Sequence, residues 1–154
     1  MKIEARLAEL GIVLPPPPRP AGNYQPWILH GGLLFISAQL PIEDGKLRYV
    51  GQVGADLTEE QGYAAARLSA LNVIAQIRAA LGGFSKLATL LRVEGHVASA
   101  PDWNNAPTVL NGASDLFLSV LQERGRHART AFTPARLPLN LSVELVVTAA
   151  ILPN

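Results

Sequence analysis

Two arginines and a glutamate stand inside a stretch that is otherwise apolar and strand-like, Ala128 to Ala150 (ARTAFTPARLPLNLSVELVVTAA). Charged side chains are seldom fully buried without a partner. Glu144, flanked by Val143 and Leu145, therefore needs a solvated sheet face or a chemical task. Read as a site, Arg129 holds an anionic substrate through its planar fork of donors, which a lysine does not mimic. Glu144 then handles a proton or orients a water. The alternative is an Arg129–Glu144 ion pair that braces two adjacent strands. Arg136 follows Arg129 by seven residues, an odd number, so in a regular strand the two side chains take opposite faces. Thr133-Pro134 between them can introduce a bulge and spoil that parity. Arg136 precedes a Leu137-Pro138 turn and is expected to bond backbone or a second subunit.

Other chemistries are poorly supplied. The chain has no cysteine, which removes disulfides, thiol catalysis and thiolate metal sites. Its three histidines, His30, His96 and His127, have no metal-ligand spacing, so a histidine-based metal site is not expected. GxGxxG and GxxxxGK[ST] nucleotide loops are absent. A formal net charge of +1 gives no basic field for nucleic acid or an anionic membrane. The N-terminal MKIEARLAEL lacks the apolar run of a signal peptide, and no stretch approaches the ~20 apolar residues of a membrane span. A cytoplasmic location is expected. With 154 residues, 49% of them apolar, one domain can bury roughly 70% of its unfolded surface.

The elements that must position these groups follow from periodicity. Residues 2–11 read as a short amphipathic helix through Ile3, Leu7 and Leu10. Pro15–Pro18 form a polyproline arm, read as a stiff spacer rather than a groove ligand. Residues 24–39 read as two strands joined at Gly31-Gly32, with Leu33–Ile36 buried on both faces. Ser37 and Gln39 end that run, either as the start of a turn or as a pocket mouth. Residues 46–50 alternate like a third strand. Asp56 or Thr58 can cap a helix over 57–81, Thr58 with Gln61 fitting a capping box, and Gly82-Gly83 stops it. Residues 86–99 are the fourth strand, with Leu87, Leu91, Val93 and Val97 facing the core and His96 on the solvated side. Asp102 caps a second long helix over 104–122. Inside it, Asn111-Gly112 signals a kink, a close approach or a ligand contact. Strands at 130–136 and 141–152 close the chain, the last one central. The expected fold is α+β: a two-layer mixed β-sheet with two long helices on one face, plus the short N-terminal helix.

The ARTA…ARLPLN…VEL run resembles the RidA/YjgF-like family (reactive intermediate deaminase, endoribonuclease L-PSP), and more narrowly its YjgF/chorismate-mutase-like branch. The likeness covers about residues 23–152. It implies a domain over 23–154, with residues 1–22 as an added helix and arm. It also implies that Arg129 takes a substrate carboxylate, that Ala131 contributes a backbone contact, and that Glu144 positions water. Tyr24, Ser37 and Asn111 align with further pocket residues. Ala38 stands where glycine is common and Ala131 where cysteine is common. Thr133-Pro134 interrupts a strand that is usually Val-Glu-Val. The resemblance implies a homotrimer with sites in the clefts between subunits. The activity it implies is cofactor-free hydrolysis of 2-imino and enamino acids to 2-oxo acids and ammonia.

Three other activities share these residues: a non-catalytic trimer that binds a small carboxylate-bearing metabolite, an endoribonuclease, and a chorismate-mutase-like enzyme. The nuclease has least support, because the chain offers no basic patch, aromatic stacking series or histidine pair.

Overall fold

The computed structural model describes residues 2–153. In chain order it forms helix α1 (Ile3–Glu9), strands β1 (Trp27–His30), β2 (Leu33–Gln39), β3 (Ile42–Glu43) and β4 (Lys46–Leu47), and helix α2 (Glu59–Leu81). Strand β5 (Leu87–Val97), helix α3 (Ala106–Leu121), and strands β6 (Ala128–Phe132) and β7 (Val143–Ile151) complete it. Five strands make one sheet in the order β1-β2-β7-β5-β6, in which β6 runs parallel to β5 and the other neighbours are antiparallel. A parallel neighbour needs a crossover, and α3 supplies it. α2 and α3 pack on each other and on one face of the sheet. The fold is the expected α+β two-layer arrangement, with β7 at its centre.

Coverage of one face only sets the burial pattern. On β7, Val143, Leu145, Val147 and Ala149 are buried, while Glu144, Val146, Thr148 and Ala150 alternate to the uncovered face. Leu33–Ile36 is therefore not buried on both faces: Leu34 and Ile36 enter the core, and Phe35 between them is 44% exposed. On β5 the pairing with β7 shifts register between Leu87/Thr89 and Leu90/Arg92. The shift turns Leu90 inward and leaves Leu91 outside, contrary to strict alternation.

Local signals set most boundaries. Thr58 and Gln61 bond reciprocally as a capping box, and Gly82 ends α2 in the left-handed conformation. α3 begins after Asn105, not at Asp102; Pro107 opens it, and no side chain caps it. Residues 46–50 do not join the main sheet. Lys46–Leu47 pair with Ile42–Glu43 as a separate hairpin, turned by Asp44 and Gly45 at φ 51° and 71°. Asn72 Nδ2 ties that hairpin to α2 by donating to the Leu40 and Ile42 carbonyls at 2.8 and 3.0 Å. β6 stops at Phe132, because Thr133-Pro134 breaks the ladder instead of letting it run to Arg136. Ile3 and Leu7 of α1 are part of the main core.

Candidate functional site

Arg129 sits on β6 beside Val93, a residue of the helix-covered face, and its guanidinium is held against α3. Nη1 donates to Asn111 Oδ1 at 3.0 Å and to Ser114 Oγ at 2.9 Å, and Nη2 donates to the Pro107 carbonyl at 3.2 Å. Three of the five guanidinium hydrogens are thus used. Nε–H and one Nη2–H have no partner among the described residues. Nor does any carboxylate there reach ion-pair distance. Arg6, Arg48, Arg78, Arg92 and Arg126, by contrast, each lie against a glutamate. A clamped cation with two donors to spare can take a carboxylate.

Two residues the sequence reading passed over hold that clamp. Ser114 Oγ lies 2.9 Å from His127 Nε2, and His127 Nδ1 lies 2.7 Å from the Gly125 carbonyl. A carbonyl only accepts, so Nδ1 carries the proton. In the neutral ring Nε2 then accepts from the Ser114 hydroxyl. Burial pushes the His127 pKa below its ordinary value and the Arg129 charge adds to this, while the Gly125 bond opposes it. Both residues left a trace in the sequence. Ser114 is one helical turn past Asn111, and His127 is two residues before Arg129.

Glu144 lies on the opposite, uncovered face. Its Oε1 is 2.7 Å from His96 Nδ1, and the two residues are direct cross-strand partners. Phe132 of β6 leans on the imidazole, with ring centroids 5.1 Å apart. Beside the pair, Arg92 bonds Glu94 and Thr130 at 2.9 Å each. The ion-pair alternative for Arg129 and Glu144 does not occur. Their strands are not adjacent, because β5 runs between them. They lie three residues apart along β5 and two strand spacings apart across it, about 14 Å between Cα atoms.

The remaining candidates divide the same way. Asn111 bonds Arg129, and Ala131 follows on β6 beside Gly95. Ser37 is on β2, in the irregularity between the Ile36–Val147 and Gln39–Leu145 pairs, next to the Glu144 end of β7. Its Oγ donates to the Gln25 carbonyl at 2.6 Å. Tyr24 is half exposed; its hydroxyl accepts from the Ala21 amide at 3.2 Å, and its ring lines a hollow with Pro18, Arg19, Ala38 and Leu139. One chain thus carries two separate groups of candidate residues: Arg129, Asn111 and Ala131 at the β6 edge, and Glu144, Ser37 and Tyr24 toward the β1–β2 side. Arg136 belongs to neither. It is exposed in the loop after β6 and lines a polar hollow with Gln52, Asp56 and Asn140. Among the described residues no three His, Asp or Glu side chains converge in a metal-binding group. No helix there is long and apolar enough to cross a membrane.

Residues 4–152 match the model of a family described as YjgF/chorismate mutase-like, putative endoribonuclease. The Trypanosoma cruzi protein TCP17 is 43% identical over 145 residues, covering 94% of this chain and 91% of its own. A crystal structure described as a putative endoribonuclease from Shewanella oneidensis MR-1 superposes with TM-score 0.94 at 40% identity, covering 97% of this chain and 99% of that one. Atu1372 from Agrobacterium tumefaciens, a protein of unknown function, gives TM-score 0.88 at 45% identity, covering 97% and 91%. RidA from Psychrobacter sp. PAMC 21119 shares the fold at TM-score 0.61 and 25% identity, covering 87% and 93%.

Proposed function

The chain belongs to the YjgF/chorismate mutase-like family, and from that premise we propose that it hydrolyses 2-imino and enamino acids to 2-oxo acids and ammonia. The observation that carries this reading is the Arg129 clamp, a guanidinium fixed by three bonds with two donors left for a carboxylate. Such a pair fixes the substrate plane and brings C2 to a defined place. The Ala131 amide supplies a second contact. Glu144 orients a water toward C2 and accepts its proton. The C–O bond forms as the C=N electron pair moves to nitrogen, which takes a proton. The resulting aminoalcohol expels ammonia as the C=O bond forms. Imine and water give oxo acid and ammonia, with no redox change.

A small imino acid cannot span the 14 Å or so between Arg129 and Glu144 on opposite faces of one sheet. We therefore place the site between copies, with the β6 edge of one protomer facing the Glu144, Ser37 and Tyr24 side of the next in a homotrimer. The exposed Phe35 and Phe132 on the uncovered face are available for such an interface.

A second reading rests on the same clamp: a trimer that binds small carboxylates without turnover. The nuclease activity named for relatives finds little support here, since five arginines are neutralised by glutamates. The test is ammonia and 2-oxo acid release from freshly generated 2-aminoacrylate and 2-iminobutanoate by chelator-treated protein. Catalysed release supports the deaminase. Binding of 2-oxobutyrate with no release across the panel replaces it with the carboxylate binder.

A further inference from the structure

By sequence, His96 reads as a polar group on the solvated side of β5, with catalysis the lesser alternative. Its position is more specific than that. Register places it directly beside Glu144, and the side chains meet at 2.7 Å with 24% and 17% of their surfaces exposed. That distance is at the short end for a nitrogen donor on an ionised acceptor. An ionised carboxylate only accepts, so Nδ1 carries the proton and Nε2 is left without a partner among the described residues. Phe132 fixes the ring plane from β6. The groups that face this pair are few. β7 contributes Glu144 itself and β6 contributes Thr130 and Phe132; on β5 Arg92 and Glu94 are occupied with each other, and on β2 Ser37 donates to the Gln25 carbonyl.

We propose that His96 is the positioning residue for Glu144, holding Oε1 so that Oε2 is the oxygen that takes the proton of the attacking water. This rests on the deaminase reading and adds to it the group that orients its base. A glutamate on a strand has three side-chain torsions to fix, and nothing else among the described residues bonds this carboxylate. Without the imidazole, Oε1 and Oε2 exchange and the side chain samples rotamers that miss the water. The Arg129 guanidinium that captures the carboxylate is held by Asn111, Ser114 and the Pro107 carbonyl, not by the imidazole.

The test compares steady-state imine hydrolysis by wild type, His96→Asn and His96→Phe, with nitrogen-detected NMR of the imidazole. An asparagine amide can take the place of Nδ1–H, and phenylalanine keeps the contact with Phe132 but cannot donate. His96→Phe is expected to lose at least about tenfold in kcat, part of the roughly hundredfold or more that positioned acid–base groups contribute, with KM unchanged. His96→Asn is expected to recover most of that loss. In wild type the ring is expected as the Nδ1–H tautomer, and in Glu144→Ala as a mixture of tautomers. A wild-type kcat in His96→Phe, an equal loss in both variants, or the same tautomer in Glu144→Ala overturns the proposal while leaving the deaminase reading intact. If His96→Phe does not fold, the asparagine kinetics and the tautomer still decide. Wild-type protein that releases no ammonia overturns the deaminase reading and this proposal with it.

Discussion

Arg129 and Arg136 carry the same charge seven residues apart, and their surroundings give them different work. Arg129 is clamped to α3 with two donors spare, while Arg136 projects from the loop after β6. Arg129→Lys should keep the fold and weaken 2-oxobutyrate binding by about 1.5–3 kcal/mol, typical of a charge-assisted bond, or about tenfold to a hundredfold in affinity. Arg136→Lys should leave affinity within about threefold, under 1 kcal/mol. Calorimetric titration of both variants checks this; the reverse pattern would move the anion site to the loop. His127 gives a pH dependence with a definite sign. Its folded pKa is depressed below the ordinary 6.5, so the unfolded chain takes up the proton first as pH falls. The stability from the neutral ring is present above about pH 6.5 and is lost as pH drops from there through the folded value. Urea melts should show that loss in wild type and a shallower one in His127→Gln. The apolar, strand-like setting of residues 128–150 made Arg129 and Glu144 legible as charges needing a reason. They did not reveal His96 as the partner of Glu144, because cross-strand register joins residues 48 positions apart.

Helix α2 was legible nearly to its ends because Thr58, Gln61 and Gly82 each have a local preference that matches their place. The misread elements are those where long-range pairing decides. Lys46–Val50 alternates like a strand, yet Asp44-Gly45 turns it into a small hairpin beside α2 instead of into the sheet. Leu91 looks like a core residue until the β5 irregularity reverses parity. Asn111-Gly112 raised three possibilities, a kink, a close approach or a ligand contact, and the structure shows the close approach. Asn111 reaches Arg129, and Gly112 lets α3 approach α2 so closely that a Cβ there would collide with the Tyr63 carbonyl. Gly112→Ala should therefore destabilise the fold by about 1 kcal/mol or more, despite its better helix propensity. Chemical denaturation measures it. A more stable variant would mean that the helices separate without cost.

The whole molecule is a sheet covered on one side, with the pieces of its candidate site on both faces, from the β6 edge to the central β7 and the β1–β2 side. A single chain does not bring Arg129 to Glu144, a separation illegible in the sequence because β5 inserts between β6 and β7. The proposed hydrolysis therefore requires a second copy of the chain. The most direct test is complementation. Arg129→Ala and Glu144→Gln are prepared separately, each checked by light scattering for trimer mass and for loss of imine hydrolysis. They are then unfolded together, refolded as mixed trimers, and assayed for ammonia release. The account predicts that mixed trimers regain activity, because some clefts then join an intact Arg129 from one copy to an intact Glu144 from another. Mixed trimers as silent as the single variants, beside an active wild type treated identically, would contradict a site shared between copies.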